Sequence, residues 1–194
     1  MARDPVLLAS IARSIKTLPE PGSDRDGTAR PPRPARRLKT ICIVSGGGHI
    51  EEAAECFEAF KDTDIVIVVY RHHGEMASFS HPRVSRVRLV SLFGSSGPLL
   101  YLSLAVNLLE FFWIFLRERP TFLFSTGSEI AIGPFILGKL LWRTRNVFLE
   151  TVTRIHACTV TAHWLYRWCD LFLVQWPHQT AMFGPRARYE GRVL

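Results

Sequence analysis

The stretch from Pro98 to Arg117 limits what this chain can fold into more than any other segment. It reads Pro-Leu-Leu-Tyr-Leu-Ser-Leu-Ala-Val-Asn-Leu-Leu-Glu-Phe-Phe-Trp-Ile-Phe-Leu-Arg. Helical spacing puts Ser103, Asn107 and Glu110 on one narrow polar stripe, and the rest of the circumference is apolar. A surface helix of a water-soluble domain carries a broader polar face, so this helix has to be buried in protein or in lipid. Its length matches the roughly 20 apolar residues of a membrane span. Its position argues against a span, because strands of one sheet are predicted on both sides of it, and a single crossing would separate them. A helix lying in the plane of one leaflet meets both demands. Leu99, Leu102, Val106, Leu109, Phe112, Trp113 and Leu116 are then the expected membrane-facing residues. Arg117 and Arg119 would reach the headgroups, with Trp113 and Tyr101 at the interface. A central helix covered by a partner chain is the alternative for the same pattern.

Around this segment, short apolar runs alternate with helical patterns. Thr40 to Ser45, Asp64 to Tyr70, Val84 to Leu92, Thr121 to Ser125, Asn146 to Glu150 and Asp170 to Gln175 read as strands, and a final one is expected just before Leu194. Continuous rather than alternating apolarity suits strands covered on both faces. The expected fold is therefore α/β, a Rossmann-like doubly wound parallel sheet over residues 40–194.

Residues 1–39 read differently. Val6 to Leu18 has the spacing of a short amphipathic helix, and Pro19 to Arg37 has a flexible linker's composition. The basic run Arg30, Arg33, Arg36, Arg37 and Lys39 suits either a solubilising tail or attraction to anionic headgroups, at roughly 1 kcal/mol per basic residue. No signal peptide is expected at the N-terminus. The formal net charge of +7 favours an anionic partner, whether a membrane surface, a phosphorylated ligand or nucleic acid. Nucleic acid fits least, since no basic-aromatic surface motif is present and the apolar helix would go unexplained. Cys42, Cys56, Cys158 and Cys169 form no metal-ligand spacing and read as reduced thiols. Neither do His72, His73, His81, His156, His163 and His178 form one.

Three loops at the carboxyl ends of strands carry candidate chemistry. In Ser45-Gly46-Gly47-Gly48-His49, glycines allow close backbone approach, and a helix N-terminus follows that suits a phosphate. The loop is neither a GxGxxG nor a Walker motif. His49 at the junction suits proton abstraction from a hydroxyl, or else capping or phosphate contact. The second loop is Ser125-Thr126-Gly127-Ser128-Glu129. There Glu129 suits sugar binding or general base work, or only a favourable place on the helix dipole. In Glu150-Thr-Val-Thr-Arg154, Arg154 suits a phosphate or an ion pair with Glu150.

These residues carry a resemblance. Ser125-Thr-Gly-Ser-Glu-Ile-Ala-Ile-Gly-Pro134 is similar to the acceptor-side loop of MurG-like family 28 glycosyltransferases. Glu150 to Arg154, Cys169-Asp-Leu-Phe-Leu-Val-Gln-Trp-Pro177 and Tyr189-Glu-Gly-Arg-Val-Leu194 resemble more specifically the PssD-type polysaccharide subunits. They also resemble the membrane-anchoring subunit of the eukaryotic lipid-linked-oligosaccharide GlcNAc transferase. The sequence departs from relatives at Cys158-Thr-Val-Thr-Ala-His163, where a Gly-Lys is absent.

The resemblance implies the N-terminal half of a GT-B enzyme divided between two polypeptides. Such a chain would act at the cytoplasmic face of the inner membrane, in exopolysaccharide synthesis, with a nucleotide-sugar-binding subunit as partner. It would transfer a sugar, glucuronic acid favoured, from a UDP-sugar to a polyprenyl-diphosphate-linked acceptor with inversion. His49 and Glu129 inherit the catalytic expectation. Gly46, Gly47, Gly48, Thr126, Gly127, Ser128 and Arg154 inherit acceptor or diphosphate binding. No metal and no cofactor are implied. The alternative is a non-catalytic membrane anchor that recruits the subunit carrying the chemistry.

Overall fold

The computed structural model describes residues 5–18, 38–71, 79–91 and 97–193. The linker 19–37 with Arg30, Arg33, Arg36 and Arg37, the pair His72 and His73, the side chain of Tyr101 and Leu194 lie outside the described residues. The strands are β1 (Leu38–Ile43), β2 (Thr63–Tyr70), β3 (Val84–Val90), β4 (Phe122–Ser125), β5 (Arg145–Leu149), β6 (Leu171–Val174) and β7 (Ala187–Tyr189). They form one sheet in the order β3-β2-β1-β4-β5-β6-β7, and every pairing is parallel. This is the doubly wound arrangement expected from the alternating runs. It places a topological switch point between β1 and β4, the place where open α/β sheets bind ligands. β1 starts two residues before the expected run because Leu38 and Lys39 already pair with Thr63 and Asp64.

Both faces of the sheet are covered, which accounts for the unbroken apolar runs. On one face Cys42, Val44, Ile65, Ile67 and Val69 pack against α2 (Gly48–Cys56) and the 3-10 turn Phe57–Phe60. On the other, Ile41, Ile43, Val66, Val68 and Tyr70 meet α3 (Gly97–Glu118), α4 (Ile132–Leu137) and α5 (Val160–Leu165). α6 (Gln179–Phe183) precedes β7. The amphipathic helix expected in the N-terminal tail is α1 (Pro5–Thr17), but it is not outside the core. Ile11 and Ile15 are buried among the α2-side residues, and Ser10 Oγ donates to Glu190 at 2.6 Å. The linker composition between Pro19 and Arg37 separated this helix from the domain in sequence, while its apolar stripe still found a face to cover. Ile11 and Ile15 of that stripe therefore cover protein, on the face opposite α3.

α3 has its polarity reversed relative to a water-soluble surface helix. Its polar stripe faces the protein. Asn107 Nδ2 donates to the carbonyls of Ser91 at 2.7 Å and Ser103 at 2.8 Å, and Glu110 accepts from Ser91 N and Oγ, both at 2.8 Å. Phe111 and Phe115 continue that stripe into the core. At the last turn the buried carboxylate of Glu118 accepts from Lys39 at 2.7 Å, Arg88 at 2.9 Å and Arg86 at 3.1 Å. The apolar side points out: Leu99, Leu102, Leu109, Trp113 and Leu116 are exposed, Leu109 and Trp113 at 63%. Val106 and Phe112 are half-buried. Phe112 turns its ring to Trp142, 5.3 Å between centroids, so it is a flank of the expected face rather than its centre. Leu140 and Leu141, in the π-helical turn Gly138–Trp142, add to the exposed apolar surface on this side of the sheet. Among the described residues no helix is long and apolar enough to cross a membrane.

Burial alone would raise the Glu118 pKa. Hydrogen bonds from Lys39 and Arg88, with the charges of Lys39 and Arg86, outweigh it and hold the carboxyl at about 2. A depressed folded-state pKa stabilises the protein above the unfolded value and is lost as pH falls toward 2. Glu118→Gln should therefore cost about 3 kcal/mol at neutral pH, the lower end for breaking a buried pair because Arg86 is partly solvated. It should also flatten the acid limb of a urea-unfolding series between pH 4.5 and 2.5. An unchanged acid limb would assign the acid sensitivity elsewhere.

Candidate functional site

The β1–α2 loop and the loop after β4 meet across the switch point. Gly47, at φ 76°, caps α2 and turns the chain in a way a side chain would resist. A Cβ built on Gly48 would meet nothing within 4 Å, so the chain's own packing does not require glycine there and the space above it is open. His49 is the second residue of α2, with its ring half-buried. Thr126 is buried, and its Oγ1 donates to the His49 carbonyl at 2.7 Å. Gly127 sits at φ 106°, and a Cβ there would stand 3.2 Å from His49 Cε1. The second glycine loop therefore packs its bare backbone against the histidine ring. Ser128 is buried, and Glu129 is exposed at the start of the turn Glu129–Ala131. The structure thus brings His49, Thr126, Gly127 and Glu129 together, with Gly46 and Ser128 on the two loops beside them.

Behind His49 stands a residue that sequence reading passed over. Glu52 is 2% exposed. Its Oε1 accepts from Val152 N at 2.8 Å, Thr151 Oγ1 at 3.2 Å and Gln175 Nε2 at 3.2 Å. Its Oε2 lies 3.7 Å from His49 Nδ1. The negative neighbour Glu52 raises the His49 pKa above 6.5, burial opposes it, and the Thr126 carbonyl and the Glu129 charge act in the same sense as Glu52. The available signal was spacing: three residues after His49, Glu52 shares its side of the helix.

A cavity of about 180 Å³ is lined by Gly48, His49, Glu52, Thr151, Val152 and Thr153. Its far wall is the β5–α5 loop, and the most distinctive sequence motif proves to be that wall's buttress. Gln175 Nε2 donates to the Glu150 carbonyl at 3.0 Å, and its Oε1 accepts from Val193 N at 2.9 Å. Trp176 Nε1 donates to the Val152 carbonyl at 2.9 Å, with the Arg192 guanidinium 3.6 Å from the ring centroid. Arg154 is exposed in the same loop, next to the cavity wall rather than on it. Both Glu150 oxygens accept from Thr159, its N at 3.1 Å and Oγ1 at 3.0 Å, and the Arg154 charge acts on the same carboxyl.

Burial pushes the Glu150 carboxyl up to about 7, against the Thr159 hydrogen bonds and the Arg154 charge, with Glu52 adding repulsion. A raised folded-state carboxyl binds its proton where the unfolded chain has lost it, so stability falls as pH rises from about 4.5 to 7. The expected loss is roughly 3 kcal/mol across that window. Glu150→Gln, which keeps an acceptor for Thr159, should remove the slope in denaturant titrations; a persistent slope would place the proton on another group.

Comparison with known proteins now adds to this geometry. Residues 101–193, just under half of the chain, match the family described as Oligosaccharide biosynthesis protein Alg14 like. A curated relative, the UDP-N-acetylglucosamine transferase subunit ALG14 of Yarrowia lipolytica, is 27% identical over 171 residues, covering 80% of this chain and 72% of the relative. Among solved structures, Acinetobacter baumannii MurG superposes with a TM-score of 0.62 at 10% identity, over 79% of this chain. The UDP-N-acetylglucosamine 2-epimerase of Rickettsia bellii gives 0.61 at 13% identity, over 81%. The chain spans 45% of the length of each of these two structures, and such low identities speak for the fold alone. The resemblance carried by Glu150 to Arg154 and Cys169 to Pro177 is thereby borne out: over residues 101–193 the chain is Alg14-like, on a Rossmann-like sheet that resembles the N-terminal half of a GT-B glycosyltransferase.

Proposed function

We propose that this chain is the membrane-docked, acceptor-binding subunit of a two-component inverting glycosyltransferase. The observation that carries the reading is the meeting of His49 and the Thr126–Glu129 loop at the β1/β4 switch point. In this reading a partner subunit holds the UDP-sugar. A polyprenyl-diphosphate-linked sugar enters over Gly47 and Gly48, with its diphosphate against the amide groups that start α2. Arg154 and the small loop residues Thr126, Gly127 and Ser128 complete the acceptor side. His49 takes the proton of the acceptor hydroxyl, the oxygen attacks the anomeric carbon, and UDP leaves with the bonding electron pair. Glu129 is the second candidate for the base. No metal or cofactor of this chain is needed.

The outward apolar side of α3 supports docking in the plane of one leaflet, which puts the cavity within reach of a lipid-borne acceptor. We place this docking at the cytoplasmic face, where UDP-sugars are available. The donor is read by the partner. Glucuronic acid follows from the PssD-type resemblance and N-acetylglucosamine from the name of the Yarrowia relative, so both belong in a donor panel. A second reading, a non-catalytic anchor, is favoured by the same α3 face, which needs no chemistry of its own.

Two outcomes are expected. Leu109→Asp combined with Trp113→Asp should abolish co-sedimentation with vesicles of a bacterial lipid extract while leaving the melting transition in place, since both side chains are exposed. Undiminished sedimentation would move the docking surface off α3. In the complex reconstituted with the partner subunit, His49→Ala should lower kcat by about 100-fold or more, and wild-type activity should rise with pH through the raised His49 pKa. Full turnover of the His49→Ala complex would instead favour the anchor.

A further inference from the structure

The carboxylate behind His49 is held through one oxygen and faces the ring with the other. Glu52 is enclosed at the junction of three elements, α2, the β5–α5 loop and β6, and three donors converge on Oε1 alone. Oε2 is buried and makes no hydrogen bond, and neither does the buried His49 Nδ1 that it faces at 3.7 Å. A buried carboxylate oxygen without a donor is costly, and the group that could satisfy it is the ring nitrogen it faces. Gly127, with no side chain, leaves the ring free to shift the short distance needed to close the contact.

We propose that Glu52 is the positioning residue of a His49–Glu52 pair, holding Nδ1 of the ring so that Nε2 is the nitrogen presented to the acceptor hydroxyl. The inference rests on the transferase reading and deepens it. During transfer the acceptor O–H bond breaks and its proton passes to Nε2. The acceptor oxygen bonds to the anomeric carbon, and the bond to the UDP oxygen breaks with its electron pair on UDP. Glu52 faces the imidazolium as that forms, and the Nδ1–H to Oε2 contact shortens to a hydrogen bond. The three donors on Oε1 keep the carboxylate oriented while this happens, as outer groups do for a metal-bound histidine. The other charges near the pair are Glu129 from the loop after β4, and Glu150 with Arg154 beside it at the end of β5. Cys56 lies next to Glu52 on α2. Among the charged groups of the described residues, Glu52 is the one that both faces Nδ1 and is buried, and the Thr126 carbonyl is a neutral neighbour of the ring.

The test uses the full chain labelled with 13C-histidine, the His49 signal assigned with His49→Asn, and a pH–rate profile of the complex with its partner subunit. Glu52→Gln preserves shape and removes charge; Glu52→Asp keeps the charge and serves if the Gln variant does not fold. In wild type, His49 should titrate above 6.5. In Glu52→Gln its midpoint should fall and the alkaline-rising limb of kcat should move down with it. kcat should drop about 10- to 100-fold while the acceptor KM stays within about twofold. Glu52→Asp should keep the higher midpoint and part of the lost rate. A His49 midpoint identical in wild type and in every folded Glu52 variant would overturn the pair. A midpoint that moves without any change in the pH–rate profile would overturn its part in transfer. If the wild-type complex transfers no sugar from any donor, the transferase reading fails with it, and the titration still decides whether the pair exists.

Discussion

The inward-facing polar stripe of α3 is the constraint on which the rest of this structure depends. Asn107 and Glu110 are committed to Ser91, and Glu118 to three cations from β1 and β3. Breaking these contacts would bury unpaired polar groups, so the helix cannot roll its leucines inward. With its orientation set from beneath, α3 has to present Leu102, Leu109 and Trp113 outward. In water that surface is a liability; against a leaflet it is a docking face. The same helix is the crossover that carries the chain from β3, at one edge, back to β4 beside β1. One segment therefore both builds the switch point and gives the domain its apolar side.

The site follows from that crossover. Because β1 and β4 lie side by side with their carboxyl ends together, two glycine-containing loops are forced to share one crevice. Gly127 packs against the His49 ring, and Thr126 holds the backbone of the same residue. Glu52, Gln175 and Trp176 then tie the β5–α5 loop to this pair, so the cavity wall is anchored to β6 and to the chain's last described residues. Gln175 and Trp176, within the run Cys169 to Pro177 that carried the family resemblance, hold the wall in place behind the cavity.

Much of this was legible in the sequence. The central strands announce themselves as unbroken apolar runs, and with the mixed edge strand β3 six of the seven were placed to within two residues. The outward α3 residues were legible because a stripe of three polar side chains on a helix of this length has few explanations. Phe112 was not, since its turn toward Trp142 depends on the π-helical turn, which no local pattern announces. α1 was misplaced because a linker reads as a boundary, whereas the buried Ile11 and Ile15 depend on a groove made by distant residues. Glu52 was hidden for a related reason. One residue in the run Glu51, Glu52, Glu55, Glu58 is buried, and the β5–α5 loop and Gln175, which reach it only in the fold, decide which.

The central claim is that this chain holds the lipid-borne acceptor while another holds the nucleotide sugar. The most direct measurement is ligand binding by the purified chain alone in lipid nanodiscs, by equilibrium titration with a polyprenyl-diphosphate-linked sugar and, separately, with UDP-sugars. The account predicts saturable binding of the polyprenyl-diphosphate ligand, weakened in a Gly48→Val variant that fills the open space above α2, and no binding of UDP-sugars. Tight binding of a UDP-sugar by this chain without its partner, or indifference to the diphosphate ligand, would contradict it.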